Sequence, residues 1–208
     1  MLIGDDTKTI ATLDNRIDKT TIVGLLRKLP EYELVGRTFA IRRAKEGDID
    51  GIIEVYQKAF AEPPWNETWN DKQVLESMLF NLSARKPIML VAESENKIIG
   101  LTWGCGIPIE KFPFLANRIT PESTSYVAEV AVDGNYRKEG VGKSLTRGYM
   151  KLASRDGIQK IVLRTDKSNI AAMALYYSLG FQEMINQTNE QILDPEYPSR
   201  VYLSVNIG

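Results

Sequence analysis

Apolar residues along the chain fall into two rhythms that take turns: helical spacing over one stretch, a short continuous run over the next. Ile22, Leu25, Leu26 and Leu29 share one helical face, and Pro30 stops that helix. "TFAIRRA" then reads as a strand. "EGDIDGIIEVYQKAF" places Ile49, Ile52, Ile53, Tyr56 and Phe60 at helical spacing, with Asp48 at its start, where a carboxylate suits the helix dipole. "AEPPWNETWN" is a loop, and Val74, Leu75, Met78, Leu79 and Leu82 mark a second helix of the main body. "PIMLVAES" and "ENKIIGLTWGCG" form a hairpin turning at Glu95 and Asn96, and residues 107–122, with Pro108, Pro113 and Pro121, form a long loop.

"SYVAEVAVD" is apolar on both faces except at Glu129, the pattern of a central strand. A helix carrying Val141, Leu145, Tyr149 and Leu152 follows, then the strand "QKIVLRTD" and a short helix, "NIAAMALYYSLGF", closed by Gly180. "FQEMIN" and "RVYLSVNI" read as two closing strands. The order is mixed α/β with a long antiparallel beginning. Residues 1–38 read as an arm with one helical patch, serving as a cap over the core or a dimer contact; residues 39–208 read as one domain.

Composition narrows the chemistry. The chain has 208 residues and a net charge of −1, so neither a nucleic acid nor a membrane surface is expected as partner. It contains no histidine and one cysteine, Cys105. That excludes Ser-His and Cys-His nucleophilic machinery and an internal disulfide, and no metal site is expected. Acid–base work must fall to carboxylates, tyrosines, lysines or water. Without a signal peptide or an apolar run of membrane-spanning length, a cytoplasmic location is expected.

The stretch most suggestive of a ligand is "RKEGVGKSLT", residues 137–146. Gly142, Lys143 and Ser144 match the end of a nucleotide P-loop, but Arg137 stands where its first glycine belongs. Gly140 and Gly142 begin a dinucleotide fingerprint, but Leu145 replaces its third glycine. The pattern R-x-x-G-x-G between a buried strand and a helix matches in full at Arg137, Gly140 and Gly142. Bare glycines let backbone N–H groups approach an anion, and the helix N-terminus adds its own unpaired donors. A glycine-rich turn without a ligand is the alternative reading of these residues alone.

With "NIAAMALYYSLGF", which carries Asn169, Ala172, Leu175, Tyr176, Gly180 and Phe181 in the pattern N-x-x-A-x-x-L-Y-x-x-x-G-F, the glycine loop resembles the GNAT superfamily of N-acetyltransferases. "IRRAKEGDIDGIIEVY" and "AFAEPPWNETW" are similar to the opening of bacterial members, and the resemblance covers about residues 39–206. It implies a mixed sheet with mostly antiparallel N-terminal strands, a splayed parallel central pair and flanking helices. It also implies acetyl-CoA as co-substrate. The backbone of Val130 and Val132 would lie along the cofactor arm, with the Val130 N–H polarising the acetyl oxygen. Arg137, Lys138, Gly140, Gly142, Lys143 and Ser144 would surround the pyrophosphate, and Asn169 would hydrogen-bond the arm.

The resemblance further implies direct attack by an acceptor amine in a ternary complex, with Tyr176 protonating the leaving thiolate. A core tyrosine is the plain alternative for that residue. Glu129, an ionisable side chain in an apolar strand, is read either as the base, directly or through water, or as half of a structural ion pair. Glu62, Trp65, Glu67 and Trp69 are candidates for the acceptor pocket, against the ordinary role of tryptophans as packing anchors. The expected acceptor is a small-molecule amine. A protein amine, a CoA-binding regulatory domain without catalysis and a P-loop-like nucleotide binder are the rival readings. A homodimer through the Ile22 patch is a further expectation.

Overall fold

The structure, a computed structural model, describes residues 18–36, 38–186, 190–192 and 194–208. Residues 1–17 of the expected arm lie outside this range. An eight-stranded sheet, in the order β1-β2-β3-β4-β5-β6-β8-β7, forms the frame. Its strands are β1 (Glu33–Val35), β2 (Ala40–Arg43), β3 (Ile88–Ser94), β4 (Lys97–Gly106), β5 (Thr124–Val132), β6 (Lys160–Asp166), β7 (Gln182–Glu183) and β8 (Arg200–Asn206). All neighbours are antiparallel except β5 and β6. The mixed α/β order and its antiparallel beginning stand as read.

Helices cover both faces. On one side lie α1 (Lys19–Leu26), α2 (Ile49–Ala61) and α3 (Asp71–Ser83), packed with Met89, Val91, Leu101 and Trp103 of the sheet. On the other, α4 (Val141–Arg155) buries Val141, Leu145, Tyr149 and Leu152 against Leu90, Ile99 and Val127, and α5 (Ile170–Tyr177) adds Tyr176 to this layer. A third cluster, under the long loop, joins Phe112 and Leu115 to Tyr126, Val162 and Tyr202. The β3–β4 hairpin turns on Glu95 (φ 51°) and Asn96 (φ 62°), both left-handed, as a two-residue turn of the primed type requires.

Several elements differ from the sequence reading. The segment before residue 39 holds a strand as well as a helix: β1 pairs with β2, and Ile22, Val23 and Leu26 are buried in the same cluster as α2 and α3. The long loop contains three short 3-10 turns, at Ile109–Lys111, Pro113–Leu115 and Pro121–Ser123. "FQEMIN" supplies only the two-residue β7, although Met184 N–H continues the pairing to Tyr202 O at 2.8 Å. Asp48 makes no side-chain cap on α2; it takes Arg42 in a two-pronged pair (2.6 and 2.8 Å) and the Lys45 N–H at 2.8 Å.

Two features of the middle of the sheet position the site. Between β4 and β5 the register slips by one residue, so that Trp103 faces Glu129 but Gly104 faces Val127, and Ala128 bulges out. Gly104 is a requirement of this bulge: a Cβ there would stand 2.1 Å from Tyr126 O and 2.5 Å from the Tyr149 hydroxyl. Beside it, β5 and β6 pair only from Thr124↔Lys160 to Val127↔Leu163. Beyond Val127 the parallel strands part, and β5 runs on to Val132 with one edge open.

Candidate active site

The open edge of β5 faces a groove of about 530 Å³, floored by Val130, Ala131 and Val132 and closed by the glycine loop and α5. Strand alternation fixes what the edge offers. Asp133 N–H donates to Ile99 O on β4 at 3.0 Å, and Ala131 lies opposite Leu101 in the next pairing of that kind. Val130 and Val132 therefore aim their N–H and C=O groups away from β4, into the groove. Arg137 Nε donates to Val132 O at 3.4 Å from that side.

At its far end the groove meets the glycine loop. Lys138 (φ 66°) and Gly140 (φ 86°) are both left-handed, and the chain then enters α4 directly. The first helical hydrogen bond runs from Ser144 N–H to Gly140 O at 2.9 Å. The amides of Val141, Gly142 and Lys143 precede it and have no helical acceptor. Arg137, Lys138, Gly140, Gly142 and Lys143 all line the groove, whereas Ser144 lies one step into the helix, outside the lining. This cluster of donors, lysines and helix dipole fits a pyrophosphate, and the open strand edge fits an extended amide-bearing arm.

Arg137 is already paired. Its guanidinium contacts Glu62, at the C-terminus of α2. Glu62, a sequence candidate for an acceptor pocket beside Trp65, Glu67 and Trp69, is thus turned toward the glycine loop and does not line the cavity that those three border.

The near end of the groove opens on a second, narrower cavity of about 80 Å³ between the splayed strands. The two share Phe60, Trp65, Val130, Asn169, Ala172 and Tyr176. Trp65, Glu67 and Trp69 line the narrow cavity. Trp69 also serves as a packing anchor, edge-on to Tyr56 at 5.2 Å, and its Nε1 donates to Glu67 at 3.0 Å. Asn169 caps α5 by accepting the Ala172 N–H at 3.1 Å while bordering both spaces.

Glu129 projects into the narrow cavity from the bulge. Burial pushes its carboxyl up to about 7, the charge of Glu67 adds to this, and a hydrogen bond from the Tyr56 hydroxyl (3.3 Å) works against it. Tyr56 is held by stacking on Trp103 at 5.3 Å. None of the described arginines forms an ion pair with Glu129, although the charge of Arg164 acts on it. Tyr176 is buried at the junction of the two cavities, and its hydroxyl makes no hydrogen bond among the described residues. Burial raises its pKa well above the ordinary phenol value, and the nearby Glu129 charge adds to the effect.

The sequence reading missed Tyr56 as a site residue, and with it Arg164 and Arg200. Both arginines are nine-tenths buried and line the narrow cavity from β6 and β8. The only hint in the sequence is a charged residue inside an otherwise apolar strand. No group of three or more His, Cys, Asp or Glu side chains among the described residues clusters as a metal ion would need. Cys105 is buried away from the groove.

The profile of the Acetyltransferase (GNAT) family matches residues 49–181. Human N-acetyltransferase 8 is 29% identical over 127 residues, covering 59% of this chain and 52% of its own. The chain spans about half or less of the length of this and the next curated relatives. An L-methionine sulfoximine/L-methionine sulfone acetyltransferase of Pseudomonas aeruginosa is 28% identical over 148 residues, covering 69% of this chain and 80% of that one. Among solved structures, the PaiA N-acetyltransferase of Thermoplasma acidophilum in complex with coenzyme A shares the fold at a TM-score of 0.61 and 16% identity, over 81% of this chain and 99% of that one. The ribosomal-protein-S18-alanine N-acetyltransferase of Escherichia coli does so at 0.58 and 18%, over 82% and 94%. By its profile match, its splayed central strands and its glycine loop, the chain belongs to the GNAT acetyltransferase family.

Proposed function

We propose that the protein transfers an acetyl group from acetyl-CoA to the primary amine of a small molecule, by direct attack with both substrates bound. The observation that carries this is continuity: one open strand edge leads from an array of unpaired amides, past Val130, to a cavity where a carboxyl and a phenol face each other's space. When bound, acetyl-CoA supplies an acyl group already activated as a thioester.

The chain's residues do the rest. The amides of Lys138 to Lys143 and the two lysines hold the pyrophosphate, and the Val132 edge aligns the arm. The Val130 N–H points at the acyl oxygen and stabilises the charge that grows on it. Glu129, oriented by Tyr56, takes a proton from the amine. A carboxyl near 7 is matched to that task, because it is substantially ionised at neutral pH yet a stronger base than an ordinary carboxylate. Tyr176 gives its proton to the departing sulfur; its raised pKa keeps it protonated throughout the working range. Orientation of the two reactants contributes up to about 7–11 kcal/mol. The narrowness of the second cavity, about 80 Å³, favours a small amine over a protein chain.

Thermal melts with acetyl-CoA and, separately, with ATP test the binding half; stabilisation by acetyl-CoA alone is expected. Release of free thiol stimulated by members of an amine panel tests the transfer half. A protein stabilised by acetyl-CoA that releases no thiol with any amine would be a regulatory CoA binder instead.

A further inference from the structure

The narrow cavity contains a cation that the acetyl-transfer chemistry does not use. Arg200 is buried to 7% exposure at the start of β8 and lines the cavity that holds Glu129. Its guanidinium lies over two aromatic rings, Tyr197 at 4.3 Å and Trp65 at 5.2 Å. Both rings are within cation–π range, and a guanidinium carries its five N–H donors in its plane, one of them directed here to Glu67. Among the described residues, the one carboxylate contact it makes is Nη2 to Glu67 at 3.4 Å. That is well beyond the ~2.7–2.9 Å of a strong charge-assisted bond, and the other Glu67 oxygen is already taken by Trp69.

The neighbouring Arg164 is different. It forms a close ion pair with Asp194, which Tyr202 and the Glu196 and Tyr197 amides also hold. Burial alone would raise Asp194, yet Arg164 and Tyr202 keep it below its ordinary range, so that pair is electrostatically complete. Arg200 is not. Among the described residues its side chain makes only the long Glu67 hydrogen bond, and none of its nitrogens is buried without a partner, so its remaining donors stay accessible to an incoming anion.

Resting on the acetyltransferase reading, we propose that Arg200 is the recognition site for a carboxylate carried by the acceptor, so that the acceptor is a small amino acid-like amine. The amine end sits at Glu129 and the carboxylate lies against the in-plane edge of Arg200. The planar fork suits a two-oxygen anion, and the aromatic rings fix its orientation in advance. Glu67, at 3.4 Å, supports the cation without saturating it.

The test is a panel of matched amines, each α-amino acid against the same molecule lacking its carboxylate, with acetyl-CoA and a free-thiol readout. The carboxylated members are expected to have kcat/KM about 10–100-fold higher, the range of a hydrogen-bonded charge pair. In Arg200→Gln the KM of the best amino acid should rise by a similar factor. Its decarboxylated partner should change little, and Arg200→Lys should recover part of the loss. Equal or better turnover of the decarboxylated partners by the wild-type protein overturns the assignment while leaving acetyl transfer standing. So does an unchanged KM in a folded Arg200→Gln variant. Absence of turnover across the panel, with acetyl-CoA still stabilising the fold, overturns it together with the transfer reading, and a loss of acetyl-CoA stabilisation marks failure of the transfer reading at its binding half.

Discussion

Glu129→Gln should make the protein more stable and a worse enzyme, and both effects should depend on pH in a calculable way. The carboxyl stands at about 7 in the fold against an ordinary 4.5. Between those values the native state holds a proton that the unfolded chain has lost, so native stability falls as pH rises through that window and levels off above it. The interval corresponds to about 3 kcal/mol at about 1.4 kcal/mol per tenfold change. Glutamine keeps the shape, cannot ionise and escapes the loss. Chemical denaturation of both proteins at a series of pH values is the assay. Their difference should be near zero at about pH 4, grow through about pH 6 and reach about 2–3 kcal/mol in the variant's favour at about pH 8, allowing for the burial of an amide.

The same substitution should cut kcat/KM by about 10²–10⁴ at neutral pH. Part of the loss should return in alkaline buffer, where the amine sheds its proton unaided. A variant whose stability advantage over the wild type is no larger at high pH than at low pH would refute the desolvation of Glu129. A pH–rate profile parallel to that of the wild type would refute its role as base, whatever the stability showed.

Other residues give sharper single tests. Tyr176→Phe should lower turnover by about 10–10³-fold with stability changed by less than about 1 kcal/mol, because its hydroxyl makes no hydrogen bond among the described residues; a matching loss of Tm would return it to the core. Gly104→Ala should cost about 3 kcal/mol, lowering Tm by about 6–12 °C, since its Cβ would collide with Tyr126 O at 2.1 Å and the β4–β5 bulge cannot relax away; a normal melt would mean that the bulge does not depend on that glycine. Cys105, buried and pushed up to about 12 by burial, should react with thiol reagents only as fast as the fold opens, and rapid labelling of the native protein would contradict its placement.

What the sequence reveals and what it hides follow from where each feature is encoded. The β3–β4 hairpin, the central strand around Glu129 and the helices α2 to α5 announce themselves by local apolar rhythm, because each buries a face built from near neighbours. The glycine loop is legible for a similar reason: the left-handed Gly140 and the donors after it are local backbone facts. β1 has no such rhythm, since Glu33, Leu34 and Val35 are all exposed on a sheet edge, and only pairing with β2 makes them a strand. Glu62 and Glu67 share one loop and look equivalent in the sequence, yet the end of α2 sends Glu62 to Arg137 while Glu67 turns to Trp69 and Arg200.

Arg164 and Arg200 are the most instructive case. Within their own strands they are simply polar residues, and nothing nearby in sequence explains why they tolerate burial. They meet Glu129 only because β5 and β6 part after Val127, and the bulge at Ala128 beside that point turns the Glu129 carboxyl and the Val130 amide toward the same opening. These two adjoining irregularities of the sheet thus account for the open β5 edge, the placement of the Glu129 carboxyl and the buried arginines together. A change that straightened the sheet, by releasing Gly104 from its close contact with Tyr126, would be expected to disturb all three at once, even though Gly104 lines neither cavity.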